Sequence, residues 1–155
     1  MRLFWPLVDP YDAWRQGNSF FRSQHKPNFS RQVKIEPGLP GVTGITTFTT
    51  NNLGFRGEDI RVRKPAGEFR IILIGGSSIE CAVLDDSDSI EAVLQRQLVE
   101  MGAARARVYN AGKSGDRSDD HLALVGQRII HLQPDVVIVL AGFNDLRAAV
   151  AGLDY

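Results

Sequence analysis

Three short stretches of this 155-residue chain bring together residue types that can act on a carbonyl: Gly75-Gly76-Ser77-Ser78, Asn110-Ala111-Gly112-Lys113-Ser114-Gly115-Asp116, and Gly142-Phe143-Asn144-Asp145. They offer one hydroxyl nucleophile and neutral hydrogen-bond donors, which is the equipment of acyl transfer. When a serine hydroxyl attacks an ester carbonyl, negative charge builds on the carbonyl oxygen, and preorganised donors stabilise that charge without reorganising. A glycine such as Gly115 leaves its N–H open to close approach because it has no Cβ. The Asn144 amide donates whatever the pH. In this scheme Ser77 attacks, and the oxygen is held by the Ser77 N–H, the Gly115 N–H and the Asn144 side chain. Gly76 and Ser78 flank the nucleophile as substrate-contacting positions. Lys113 and Arg117 flank Gly115, where they either favour an anionic substrate or are simply solvated, the commoner fate of loop cations.

These groups act together only if the fold makes them converge, and the pattern from Gly67 onward supplies the means. Short apolar runs alternate with amphipathic ones in the manner of βαβ units. Phe69 to Ile74 reads as a strand. Asp88 or Ser89 caps a helix with Ile90, Val93, Leu94 and Leu98 on one face, running to Met101 and Gly102. Arg107 to Tyr109 is a second strand. Ser118 caps the next helix, with Leu122, Val125, Ile129 and Leu132 as its buried stripe, and Pro134 ends it. Val136 to Leu140 is a third strand whose unbroken β-branched run predicts burial on both faces, as in a parallel sheet. Leu146 to Val150 begins another helix. With the first strand central, each chemical loop follows a strand at the same sheet edge, where α/β folds bind ligands.

A change of texture near Lys64 to Gly67 divides the chain into an N-terminal extension, 1–66, and an α/β domain portion, 67–155. The extension scatters Phe4, Trp5, Tyr11, Trp14, Phe20, Phe21 and Phe29 among polar residues, and a β-ribbon is expected over Gln32 to Thr50. Eighteen basic residues balance eighteen acidic ones without a long basic run, which argues against nucleic acid or an anionic membrane as partner. The longest apolar run, Val136 to Phe143, is far short of the roughly 20 residues a membrane-spanning helix needs. Pro6, Asp9 and Pro10 interrupt the apolar start, a poor signal peptide, and the compartment cannot be read. Cys81 is the only cysteine, so a disulfide within the chain and a multi-cysteine zinc site are excluded. Neither a metal nor a cofactor is called for.

The three stretches, in this order, resemble the conserved blocks of the SGNH (GDSL-like) serine hydrolases. IILIGGSSIE is similar to their first block, with Ser77 in the nucleophile position and Gly76 where many members have Asp. NAGKSGD is similar to the second, where Gly115 would supply the oxyanion N–H, and AGFNDL to the third, where Asn144 would be the side-chain donor. The preceding Asn52-Leu53-Gly54-Phe55-Arg56-Gly57 resembles a lead-in of bacterial members. The resemblance implies a flavodoxin-like three-layer α/β/α fold around a parallel sheet, of which this chain holds the N-terminal part. It implies hydrolysis or transfer of an acyl group from a small-molecule, carbohydrate or lipid ester, without a cofactor.

Family members carry a late Asp-x-x-His motif, whose His activates the serine; this chain contains none. An unassisted serine is a weak nucleophile, so the chain alone is expected to be close to inactive. A catalytically dead binding module with the same pocket, or a truncated product without independent function, stand as alternatives. His25, His121 and His131 read as surface or structural histidines, Cys81 as a small buried filler, and Arg56 as a packing or turn residue that could also reach the site. A dinucleotide site is excluded because the loop after the first strand lacks G-x-G-x-x-G. With three strands in the order two, one, three, the third is an edge, and self-association through it is expected.

Overall fold

The structure, a computed structural model, describes residues 25–35, 41–42 and 44–152. It is a mixed α/β fold built on a parallel sheet. β1 (Ser30–Lys34) and β2 (Ile45–Thr49) form an antiparallel ribbon in which Val33 faces Thr46. β3 (Phe69–Gly75) leads into the short helix α1 (Ser77–Glu80), a 3₁₀ turn (Asp86–Asp88) and α2 (Ile90–Glu100). β4 (Ala106–Asn110), α3 (Ser118–Gln127), a second 3₁₀ turn (Ile129–Leu132), β5 (Val136–Leu140) and α4 (Phe143–Val150) complete it. The sheet order is β4-β3-β5, both pairings parallel, with Ile71 opposite Val108 on one side and Val136 on the other.

The central strand is apolar without alternation because both of its faces are covered. Ile71 and Leu73 pack with Ile79 and Val108 and, more peripherally, Leu94 and Leu98 of α2. Ile72 and Ile74 pack on the opposite face with Tyr109, Ala111, Leu124, Ile129 and Leu132. Three layers result, as the resemblance implied. Leu53, Phe55 and Ile60 from the lead-in join the second cluster, so that segment contributes to the same core as the central strand.

Several details differ from expectation. The ribbon begins at Ser30, two residues earlier than read, and residues 36–40 and 43 lie outside those described. The aromatics of residues 1–24 also lie outside them, while Phe29, which precedes β1, is described. Ser118 is the first helical residue of α3 and not its cap; the cap is Arg117, whose N–H donates to Asp120 Oδ2 at 3.0 Å, while Asp145 Oδ1 receives the Ser118 N–H at 3.0 Å. Leu122, counted in the buried stripe, is 75% exposed, and Leu124 takes its place in the core. The helix stops at Gln127, so Ile129 and Leu132 sit on a separate 3₁₀ turn, and the helical period no longer connects them to Leu122. In α2, Glu91 is buried while Ile90 is exposed, because Glu91 serves the polar network beside α1. β5 has the predicted bounds but not the predicted burial: Ile138, Val139 and Leu140 are 41%, 54% and 53% exposed, since the strand pairs with β3 alone among the described residues.

Candidate functional site

Parallel pairing sends the chain out of β3, β4 and β5 at the same end, and backbone and side-chain bonds then draw the three exits together. Ala111 N–H donates to Leu73 C=O and Lys113 N–H to Gly75 C=O, both at 2.8 Å, so the loop after β4 continues the ladder beside β3. Asn110 sits beneath: its Nδ2 donates to Ile79 C=O at 2.5 Å and to Glu91 at 2.8 Å, and its Oδ1 receives the Gly112 N–H at 2.9 Å. The loop after β5 is tied in by Asn144, whose Nδ2 donates to Asp116 C=O at 2.8 Å.

Where the loops meet lies a cleft of about 160 Å³, lined by Gly76, Ser77, Ser78, Asp116 and His121 on one side and by Leu140 to Asn144 on the other. Ser77, exposed, begins α1. A Cβ on Gly76 would stand 2.7 Å from Asn144 Nδ2, so any larger residue there would push the amide aside. Asn144 has two N–H groups, and the bond to Asp116 occupies one direction. Gly115 adopts φ +88°, a left-handed conformation that side-chain-bearing residues rarely take, and a Cβ on it would meet nothing within 4 Å. Its glycine therefore answers to backbone conformation more than to crowding. Gly115 precedes the cleft-lining Asp116; neither it nor Lys113 nor Arg117 is among the lining residues, and Arg117 lies 3.6 Å from Asp119. A larger groove of about 690 Å³ runs between α2 and β4, past Gln95 and Tyr109, and contains none of Ser77, Gly115 or Asn144. Size alone does not mark the chemistry.

Two titratable groups line the cleft. Burial, helped by the charge of Asp120, pushes the Asp116 carboxyl up to about 7. His121 is not a surface residue: it is buried, and neither ring nitrogen has a hydrogen-bond partner among the described residues. Asp145, next to the cleft-lining Asn144, is held below the ordinary carboxylate range by the Ser118 N–H, against the opposing effect of burial, with His121 adding to the downward shift. The helical stripe offered the one available signal, since His121 lies three residues before the core residue Leu124. His131 follows on the exposed side of the 3₁₀ turn. Cys81 is half-buried at φ +53° and does not line the cleft.

Arg56 is the other residue the sequence undervalued. It is fully buried over the Phe48 ring, 4.7 Å from its centroid. Its guanidinium donates to the carbonyls of Glu80 (3.0 Å), Cys81 (2.8 Å) and Leu84 (3.2 Å) and to Asp86 Oδ1 (2.8 Å). It thus holds the chain immediately after the Ser77 helix. Among the described residues there is no group of three or more His, Cys, Asp or Glu that could hold a metal ion, and no helix long and apolar enough to cross a membrane.

The described architecture is a parallel α/β sheet with a serine-bearing loop at its central strand. Among solved structures the chain is similar to AlinE4, a SGNH-hydrolase family esterase: the two are 31% identical over 59% of this chain and 47% of that one, with a TM-score of 0.47. A mutant of that esterase gives the same values, and another matches at 28% identity over 55% and 46%, with a TM-score of 0.45. The chain thus spans about half the length of the esterase structures it matches. No protein-family model and no curated protein matches it.

Proposed function

We propose that this chain carries the nucleophile side of an SGNH-type serine ester hydrolase, acting on a carboxylic ester of a small molecule, carbohydrate or lipid. As Ser77 Oγ gives its proton to a histidine base and attacks the ester carbonyl carbon, the carbonyl electron pair moves onto oxygen, and that oxygen is received by the Ser77 N–H, the Gly115 N–H and the Asn144 side chain. Collapse expels the alcohol, which takes that proton from the base, and leaves an acyl-Ser77; water or another alcohol, deprotonated by the same base, releases it. The observation that supports this most strongly is the Asn144 bond to the Asp116 carbonyl across a cleft that Ser77 lines, because it joins the third loop to the second beside the hydroxyl. Gly76 and Ser78 are the flanking substrate contacts; Lys113 and Arg117 lie outside the cleft lining, which favours their reading as loop cations over a bias toward anionic esters.

The test is covalent labelling with a fluorophosphonate, on this chain and on any longer protein that contains it. Rapid labelling is expected where a base reaches Ser77, little on the chain alone, and none in Ser77→Ala. Label that persists in Ser77→Ala, or that sits on Ser78, removes the assignment. Ser77-dependent turnover by the chain alone would pass the role of base to His121, the histidine buried in the same cleft. In an active protein Asn144→Ala should lower kcat by roughly 10² to 10³ with little change in KM, since the donor acts on charge developed in the transition state.

A further inference from the structure

One buried carboxylate joins the Ser77 helix to the Gly115 loop. Glu80 closes α1, three residues after Ser77, and its Oε2 accepts both the N–H (3.0 Å) and the hydroxyl of Ser114, the residue before Gly115. Its other oxygen, Oε1, lies 2.7 Å from Nε2 of His25. His25 arrives from the N-terminal side and packs against the Phe48 ring, 5.1 Å between centroids, while the adjoining Lys26 carbonyl receives the Thr50 hydroxyl at 2.6 Å. Glu80 is thus held from two directions by groups distant in the chain.

Glu80 is not among the residues lining the cleft, so contact with substrate does not explain it. A hydrophobic residue would fill the same space between Ile79 and the loop at lower cost, because a buried carboxylate must be compensated by bonds to its charged form. Burial acts to raise the Glu80 carboxyl, but the bonds from His25 and Ser114 outweigh it and hold the group below its ordinary range, hence ionised at neutral pH. The loop's own backbone is pinned at Lys113, by Gly75, and again at Asp116, whose N–H donates to Lys113 C=O at 3.2 Å. Ser114 lies between these points, and Glu80 holds it. An oxyanion donor must stand within about 0.5 Å of its productive place, and the residue beside Gly115 is where such a constraint acts most directly.

We propose that Glu80 is a positioning residue that fastens the Gly115 loop to the Ser77 helix, and that His25 anchors it, which makes the N-terminal segment part of the frame of the site. The functional half of this rests on the roles of Ser77 and Gly115 given above; the mechanical half does not. Amide hydrogen exchange by NMR on the 155-residue chain tests the mechanical half. Glu80→Gln keeps the shape but removes a charged acceptor, and should speed exchange at the Ser114 amide by about tenfold or more, as loss of a hydrogen bond to a charged group implies. Exchange at Ile72 and Leu73 should be unchanged. Ser114→Ala, which leaves the Glu80–His25 pair in place, should speed exchange of the residue-114 amide several-fold, and the double variant should be no faster there than Glu80→Gln alone. In a protein whose Ser77 reacts with the probe, Glu80→Gln should slow labelling about tenfold at unchanged final stoichiometry and lower kcat with KM nearly constant. Unchanged exchange at residue 114 in both single variants overturns the proposal, as does strict additivity. If Ser77 never reacts in any protein containing the chain, the functional reading falls while the exchange data still decide whether Glu80 is the fastener.

Discussion

The two outer strands of the sheet are finished in opposite ways. β4 reads as a half-polar strand, Ala106-Arg107-Val108-Tyr109-Asn110, yet its outer edge is closed. Gln95 of α2 donates to Ala106 C=O and receives the Val108 N–H, both at 2.9 Å, and Arg56 of the lead-in exchanges two backbone hydrogen bonds with Asn110, at 2.8 and 3.0 Å. β5, Val136-Val137-Ile138-Val139-Leu140, is the most apolar strand and, among the described residues, the bare one, and α4, which follows it, leaves Phe143, Leu146 and Val150 exposed. Composition reports what a strand could bury. Whether it is an edge depends on what other segments bring to its free N–H and C=O groups.

Loosening the lead-in behind the closed edge should cost most. Arg56→Ala spares the backbone pairing with Asn110 but frees three carbonyls. It also takes the cation from Asp86, which keeps Thr49, and from buried Glu91, which keeps Ser89 and Asn110. A loss of about 3–5 kcal/mol is expected for a broken buried pair. Urea denaturation measures it, and a loss below about 1 kcal/mol would show that Arg56 is incidental. Gln95→Ala removes only the side-chain seal and should cost about 1–3 kcal/mol, with faster exchange at Val108.

Asp116, in the cleft between the two sides, sharpens the comparison through pH. Its folded-state carboxyl lies near 7, above the ordinary 3.8, so the folded protein holds a proton that the unfolded chain has released between these values. Stability from this group is therefore full below about pH 4 and declines toward pH 7 and above. Asp116→Asn should remove that decline and stabilise the chain at pH 8 by about 1 kcal/mol, the nominal shift being discounted for solvent screening of a group that is only half-buried. Thermal melts at pH 5 and 8 decide: an equal effect at both pH values contradicts the assignment. The smallest stability change belongs to the bare edge. Val139→Lys should alter stability by no more than about 0.5 kcal/mol, yet it should abolish the concentration-dependent self-association we expect of this chain by placing a charge on an unpaired strand. Sedimentation velocity at several concentrations reads both forms, and a wild-type chain monomeric throughout would remove the expectation.

Much of this organisation was legible because it rests on local pattern. The three strands and the loops bearing Ser77, Gly115 and Asn144 follow from apolar runs of strand length punctuated by glycine, while their order with the first strand central is an assumption that the sheet matches. What was not legible depends on partners far away in the chain. Arg70, the second residue of the central strand, is fully buried, with its guanidinium bonded to Leu132 and Arg61 carbonyls and 2.6 Å from Glu68; nothing in its apolar strand neighbours predicts a buried cation. Glu80 offered a faint signal, a single carboxylate within Ile79-Glu80-Cys81-Ala82-Val83-Leu84. For His121 the sequence leaves a surface and a structural role open, because its face of α3 is set by where the helix begins, and Asp145, 27 residues on from Ser118, helps to decide that.

The long reach of the arginines has a consequence for synthesis on the ribosome. Leu53 C=O receives its bond from Arg128, 75 residues later, and Lys64 and the Arg70 N–H wait for Asp135, 71 and 65 residues later. The lead-in emerges from the tunnel first but cannot settle until the 3₁₀ turn and the start of β5 have followed it. At about 5–20 residues per second, its apolar Leu53, Phe55 and Ile60 stay uncovered for several seconds. That interval gives chaperones time to bind, and nascent chains held with Arg128 still inside the tunnel should be far more protease-sensitive in the lead-in than chains whose Leu140 has emerged.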